Sequence, residues 1–133
     1  MKIFLMYRFT GENFAELEKI CNQIISAIEK AGHECFCSIS KEEHYKKNNF
    51  TRRQKYLDLI NETNNADAVL AVVTSNEKSE GMLVETGYAF AKGKDIILAI
   101  KKGVHSEMIE YMAKQKIEFD TIEELCKKLS KLK

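Results

Sequence analysis

Glu85 is the residue around which chemistry can be argued in this chain. It stands in Ser79-Glu80-Gly81-Met82-Leu83-Val84-Glu85-Thr86-Gly87-Tyr88-Ala89, shortly after the apolar run Ala68-Val69-Leu70-Ala71-Val72-Val73. The run reads as a buried strand, and the segment after it as a helix ending near Gly93. One carboxylate is thereby placed in the opening turns of a helix, just beyond the C-terminal end of a strand. Open α/β sheets hold their ligands at that edge. Among Met82, Leu83, Val84, Tyr88 and Ala89 this carboxylate has few polar neighbours in sequence. The plainer role for Glu85 is a charge that complements the helix dipole. Ser79 and Gly81 open the same helix, whose free backbone amides can hold an anion; simple capping asks for the same residue types. The first strand delivers Tyr7 and Arg8 to this edge, followed by Thr10 and Gly11, and the third exits into Thr74, Ser75 and Asn76.

The elements that must position these residues alternate. Residues 2–7 form a first strand. Residues 13–31 form a helix with Phe14, Leu17, Cys21, Ile24, Ile25 and Ile28 on one face, opened by Asn13 with Glu16 in a capping-box pattern and stopped by Gly32. A second strand covers 33–37. Residues 38–49 are polar and irregular, a connection long enough to carry function. A helix from Phe50 or Thr51 runs to Asn64-Asn65, and a third strand covers 67–73, apolar enough to be covered on both faces. A helix over 81–92, a strand over 95–100, a short helix over 106–113, a weak strand over 116–119 and a terminal helix from Thr121 follow. Strands alternating with helices require a parallel sheet between helical layers. The expected architecture is an α/β flavodoxin-like three-layer sandwich, its five-stranded parallel sheet ordered 2-1-3-4-5, as one domain over 1–133.

Composition excludes several functions. The formal charge of +1 over 133 residues offers no bulk attraction to polymeric nucleic acid or membrane. No stretch approaches the roughly 20 apolar residues of a membrane span, and the N-terminal segment lacks signal-peptide features, so a cytoplasmic protein with reduced thiols is expected. The four cysteines lack the paired spacing of a zinc site. His33, His44 and His105 are scattered, so no metal is expected. Neither G-x-G-x-x-G nor a Walker-type phosphate loop occurs. The basic cluster Lys41, Lys46, Lys47, Arg52, Arg53 and Lys55 reads as a solvated face or as a phosphate-binding patch.

Ser79-x-Gly81-x-x-x-Glu85-x-Gly87 resembles the active-site signature of the nucleoside 2-deoxyribosyltransferase family. It looks especially like the branch that hydrolyses 2'-deoxynucleoside 5'-monophosphates. The resemblance continues in Ala66-Asp67-Ala68, Glu85-Thr86-Gly87-Tyr88-Ala89 and Gly93-Lys94-Asp95-Ile96-Ile97. It implies a cofactor-free retaining N-glycosidase or glycosyltransferase acting on a small nucleoside or nucleotide, with Glu85 attacking the anomeric carbon. The family's acid matches Asp67, whose other reading is a strand-opening or capping residue. Tyr7 would line the sugar pocket and orient the nucleophile, or be an ordinary strand-end aromatic. Ser79 and Gly81 would hold a 5'-phosphate or 5'-hydroxyl, and Tyr88 would support Glu85 or pack in the core. Ser106 is similar to the serine that reaches a neighbouring subunit's phosphate site, and the resemblance implies a homodimer or higher oligomer. One departure stands out. The phosphate-hydrolysing branch carries glycine-serine-isoleucine-arginine after its first strand, whereas this chain has Tyr7-Arg8-Phe9-Thr10-Gly11. The serine is missing, and Arg8 or the patch at Arg52 and Arg53 would have to compensate. Cleavage of NAD or a ribonucleotide, and a non-catalytic nucleotide-binding sensor, are the competing functions.

Overall fold

The two apolar runs at residues 2–7 and 68–73 pair side by side and parallel, with Ile3 opposite Ala68 and Tyr7 opposite Val72. The computed structural model describes residues 1–8 and 13–133, so the turn expected at Thr10 and Gly11 lies outside the described residues. The elements are β1 (Lys2–Tyr7), α1 (Phe14–Lys30), β2 (Glu34–Cys37), α2 (Glu42–Lys47), α3 (Arg52–Asn65), β3 (Ala68–Val73), α4 (Glu80–Ala91), β4 (Asp95–Lys101), α5 (Glu107–Met112), β5 (Gln115–Phe119) and α6 (Ile122–Leu129). The sheet order is β2-β1-β3-β4-β5 with every pair parallel, the expected doubly wound arrangement.

Alternation along each strand divides the core in two. Ile3, Leu5, Leu70 and Val72 meet Leu17, Cys21, Ile24 and Ile28 of α1 and Leu125 and Leu129 of α6. Phe4, Met6, Val69, Ala71 and Val73 meet Met82 and Ala89 of α4 and Ile109 of α5. Every residue of β3 is buried, which explains why that run carries no polar alternation. Asn13 Oδ1 accepts from the Glu16 amide at 3.2 Å, and Gly32 turns the chain out of α1 at φ 91°, a conformation that favours glycine.

Residues 38–49 differ from the expected irregular connection. A 3-10 turn over Ser38–Lys41 leads into α2. The cause is tertiary. Tyr45 is buried, and its hydroxyl donates to Asp58 Oδ2 of α3 at 2.7 Å. Lys41 Nζ donates to the same oxygen at 2.9 Å and to Glu62 Oε1 at 2.6 Å. Glu42 and Glu43 in the first turn and Lys46 and Lys47 in the last complement the dipole of this short helix. Burial would raise the Asp58 carboxyl, but the bonds from Lys41 and Tyr45 outweigh it and hold the group below its ordinary range.

Asp58→Ala leaves a buried phenol and a half-buried ammonium without their shared acceptor. It should cost about 1–3 kcal/mol in urea unfolding at pH 7. A carboxyl depressed by folding contributes stability above its ordinary range and loses it as pH falls. The difference from wild type should therefore shrink on acidification.

Candidate active site

β1 and β3 are neighbours at the centre of the sheet, and their crossover helices leave to opposite faces, so a crevice opens beyond their C-terminal ends. A cleft of about 640 Å³ occupies it, within the roughly 300–1,000 Å³ typical of small-molecule sites. Its floor is the end of β1, with Met6, Tyr7 and Arg8. One wall is the start of α4, with Ser79, Gly81 and Glu85. The other is α3, with Arg52, Lys55, Tyr56 and Leu59, backed by Glu42 and Tyr45.

Glu85 is half-buried in the second turn of α4 and makes no salt bridge among the described residues. Burial pushes its carboxyl up to about 7, because removing water penalises the charged form. Such a group is poised to work near neutral pH. Tyr7 is buried beside it in the same cleft. Ser79 caps α4, its Oγ accepting from the Met82 amide at 3.3 Å. The Glu80 and Gly81 amides precede the first intrahelical acceptor by position and sit where an anion is favoured. A Cβ on Gly81 would meet only the Tyr56 hydroxyl, at 3.8 Å. The two walls therefore approach each other across a position with no side chain.

Arg8 donates to Ser75 Oγ at 3.3 Å and pairs with Glu77, both from the β3–α4 loop. It borders the cleft and also a second cavity of about 100 Å³, which Ser106, His105 and Met108 help to line. Ser106 thus faces that smaller space and not the Glu85 cleft of its own chain. The loop and the approach to α5 are tied by the His105 amide, which donates to Asn76 Oδ1 at 3.0 Å.

Two expected residues are not brought to the cleft. Asp67 precedes β3, at the opposite edge of the sheet. Its Oδ2 accepts from the Lys2 amide at 2.8 Å, and its own amide donates to Lys2 O at 2.8 Å. Six strand residues at about 3.3 Å each put it roughly 20 Å from the ligand edge. It anchors the start of β1 and cannot serve as an acid for Glu85. Tyr88 lines neither cavity; its hydroxyl donates to Asn64 Oδ1 near the end of α3 at 2.8 Å. Of the basic cluster, Arg52 and Lys55 line the cleft, with Lys55 paired to Glu42 at 3.6 Å. Tyr56, which the sequence did not single out for the site, is 51% exposed at the cleft wall. Its spacing of four from Arg52 on α3 was the available signal.

Known structures share this open doubly wound fold. The CMP N-glycosidase of Clostridium botulinum superposes with a TM-score of 0.71 at 20% identity, over 97% of this chain and 98% of that one. A 2-deoxyribosyltransferase from Bacillus psychrosaccharolyticus gives 0.68 at 17% identity, over 94% and 90%. A conserved protein from Enterococcus faecalis gives 0.67 at 12% identity, over 96% of both. A search of curated protein sequences finds no significant match. The sequence model described as Nucleoside 2-deoxyribosyltransferase matches residues 9–126, and the chain belongs to that family.

Glu85→Gln replaces the isolated carboxylate with a neutral group of the same shape. Glu85 is raised on folding from an ordinary 4.5 to about 7, so the folded state keeps a proton that the unfolded chain releases. Its effect on stability is a penalty that grows as pH rises through that window and is complete above it. The variant should be more stable than wild type by roughly 1–3 kcal/mol at pH 8 and nearly equal to it at pH 4.5, as read by thermal unfolding.

Proposed function

We propose that this protein cleaves the N-glycosidic bond of a nucleoside or nucleoside 5'-monophosphate through a covalent glycosyl ester on Glu85. The observation that carries this reading is the half-buried Glu85 carboxyl, without an ion-pair partner among the described residues, which lines a nucleoside-sized cleft with Tyr7 and the start of α4. Family membership supports it. The ionised carboxylate attacks the anomeric carbon, the carbon–nitrogen bond breaks, and its electron pair departs with the base. Water then attacks the same carbon and releases Glu85 as a carboxylate, its proton passing to the departed base or to solvent; a second base in place of water gives transfer. Ser79 and the Gly81 amide hold the 5'-hydroxyl or 5'-phosphate. Arg8 reaches a phosphate by exchanging Glu77, which is 72% exposed and therefore weakly held.

The active unit in this reading is a symmetric dimer. Val84 of α4 and Met108 and Tyr111 of α5 are 68%, 59% and 73% exposed, an apolar surface beside the cavity that Ser106 lines.

Base release from deoxynucleosides, ribonucleosides, their 5'-monophosphates and NAD, followed by chromatography, tests the chemistry. Wild type should release base from at least one, and Glu85→Gln should lose at least a thousandfold in kcat. Because the nucleophile must be ionised, kcat/KM should fall about tenfold per pH unit below 7. Release that survives the substitution would remove Glu85 from the mechanism. For the dimer, Val84→Glu should convert the species seen by light scattering from two chains to one.

A further inference from the structure

With Asp67 at the far edge of the sheet, the departing base has no aspartate among the described lining residues of the cleft. Glu42, behind the α3 wall, is tied to Lys55. What faces Glu85 is α3, on which Arg52, Lys55, Tyr56 and Leu59 lie three and four residues apart, one face of a helix. Tyr7 and Tyr45 also line the cleft but are 8% and 1% exposed, whereas Tyr56 at 51% presents open ring surface. Arg52 precedes it by one turn and makes no salt bridge or side-chain hydrogen bond among the described residues. A flat ring next to an unpartnered guanidinium suits a planar heteroaromatic with carbonyl acceptors.

We propose that this face of α3 receives the base of the substrate, with Tyr56 as its stacking platform and Arg52 as the donor to the negative charge that gathers on it. The inference rests on the Glu85 reading above. As the carbon–nitrogen bond breaks, the electron pair delocalises onto the base carbonyls. A guanidinium donating there stabilises the leaving group without transferring a proton. The substrate class follows: nucleosides of carbonyl-bearing bases, which leave as delocalised anions, are preferred to those whose base must be protonated first.

The test uses 2'-deoxynucleosides of thymine, uracil, 5-fluorouracil and 5-nitrouracil, as free nucleosides and as 5'-monophosphates, a series of increasingly acidic leaving bases. Arg52→Gln should lower kcat roughly tenfold to hundredfold for thymine and progressively less toward 5-nitrouracil. Tyr56→Ala should raise KM about 10- to 100-fold across the series, and Tyr56→Phe, which restores the ring, should recover most of that loss. Calorimetry with free thymine and with 2-deoxyribose 5-phosphate gives a second readout: both variants should weaken binding of the base and spare the sugar phosphate. A loss in Arg52→Gln that is equal across the series, or confined to phosphorylated substrates and the sugar phosphate, would overturn the assignment. Wild type inert on every substrate would instead sink the Glu85 reading beneath it.

Discussion

The structure depends on one constraint: β1 and β3 are apolar on both faces and must lie in the interior of the sheet. β2 and β5 carry Glu34, Gln115, Lys116 and Glu118, which are exposed, and these strands take the edges. With β1 and β3 adjacent at the centre and their crossovers required to be right-handed, α1 goes to one face and α3 and α4 to the other. The crevice between them is a consequence of burying Val69, Leu70, Ala71 and Val72. Whatever chemistry the chain does is inherited from where that burial leaves an opening.

The balance of charge in the opening has a physical logic. Three cations in and around the cleft are held by carboxylates: Lys41 by Asp58 and Glu62, Lys55 by Glu42, Arg8 by Glu77. Among the described residues Glu85 has no such partner, and burial raises it. A salt bridge to Glu85 would favour its charged form and weaken it as a nucleophile. If Glu85 is the nucleophile proposed above, the arrangement preserves its reactivity at a cost in folding energy, a trade often found at functional sites.

Much of this was legible in the residues and part was not. The strands, α1 with its Asn13 cap and Gly32 stop, and the position of Glu85 follow from local periodicity, which one sequence carries. α2 was missed because six residues with one buried side chain show no period; only the Tyr45–Asp58 contact, thirteen residues apart, fixes it. Of the two readings of Asp67, the strand-opening one holds and the acid does not. It matched a motif by its neighbours, yet the first residue of a parallel strand lies at the edge opposite the last, and direction along the sheet outranks likeness in sequence. Tyr56 was not singled out because composition cannot tell a buried ring from one facing a cleft. The departure after the first strand remains at Arg8, whose guanidinium does border the cleft.

The Arg8–Glu77 pair has a consequence for recognition. The β3–α4 loop carries its own tethered anion, seated on the guanidinium that an incoming anion would want. An anion that bound at Arg8 would exchange one carboxylate for another acceptor, with no change in the number of ion pairs. Charge alone gives a ligand little advantage over the loop it displaces. Selection at Arg8 would then rest on shape and bidentate geometry more than on charge alone.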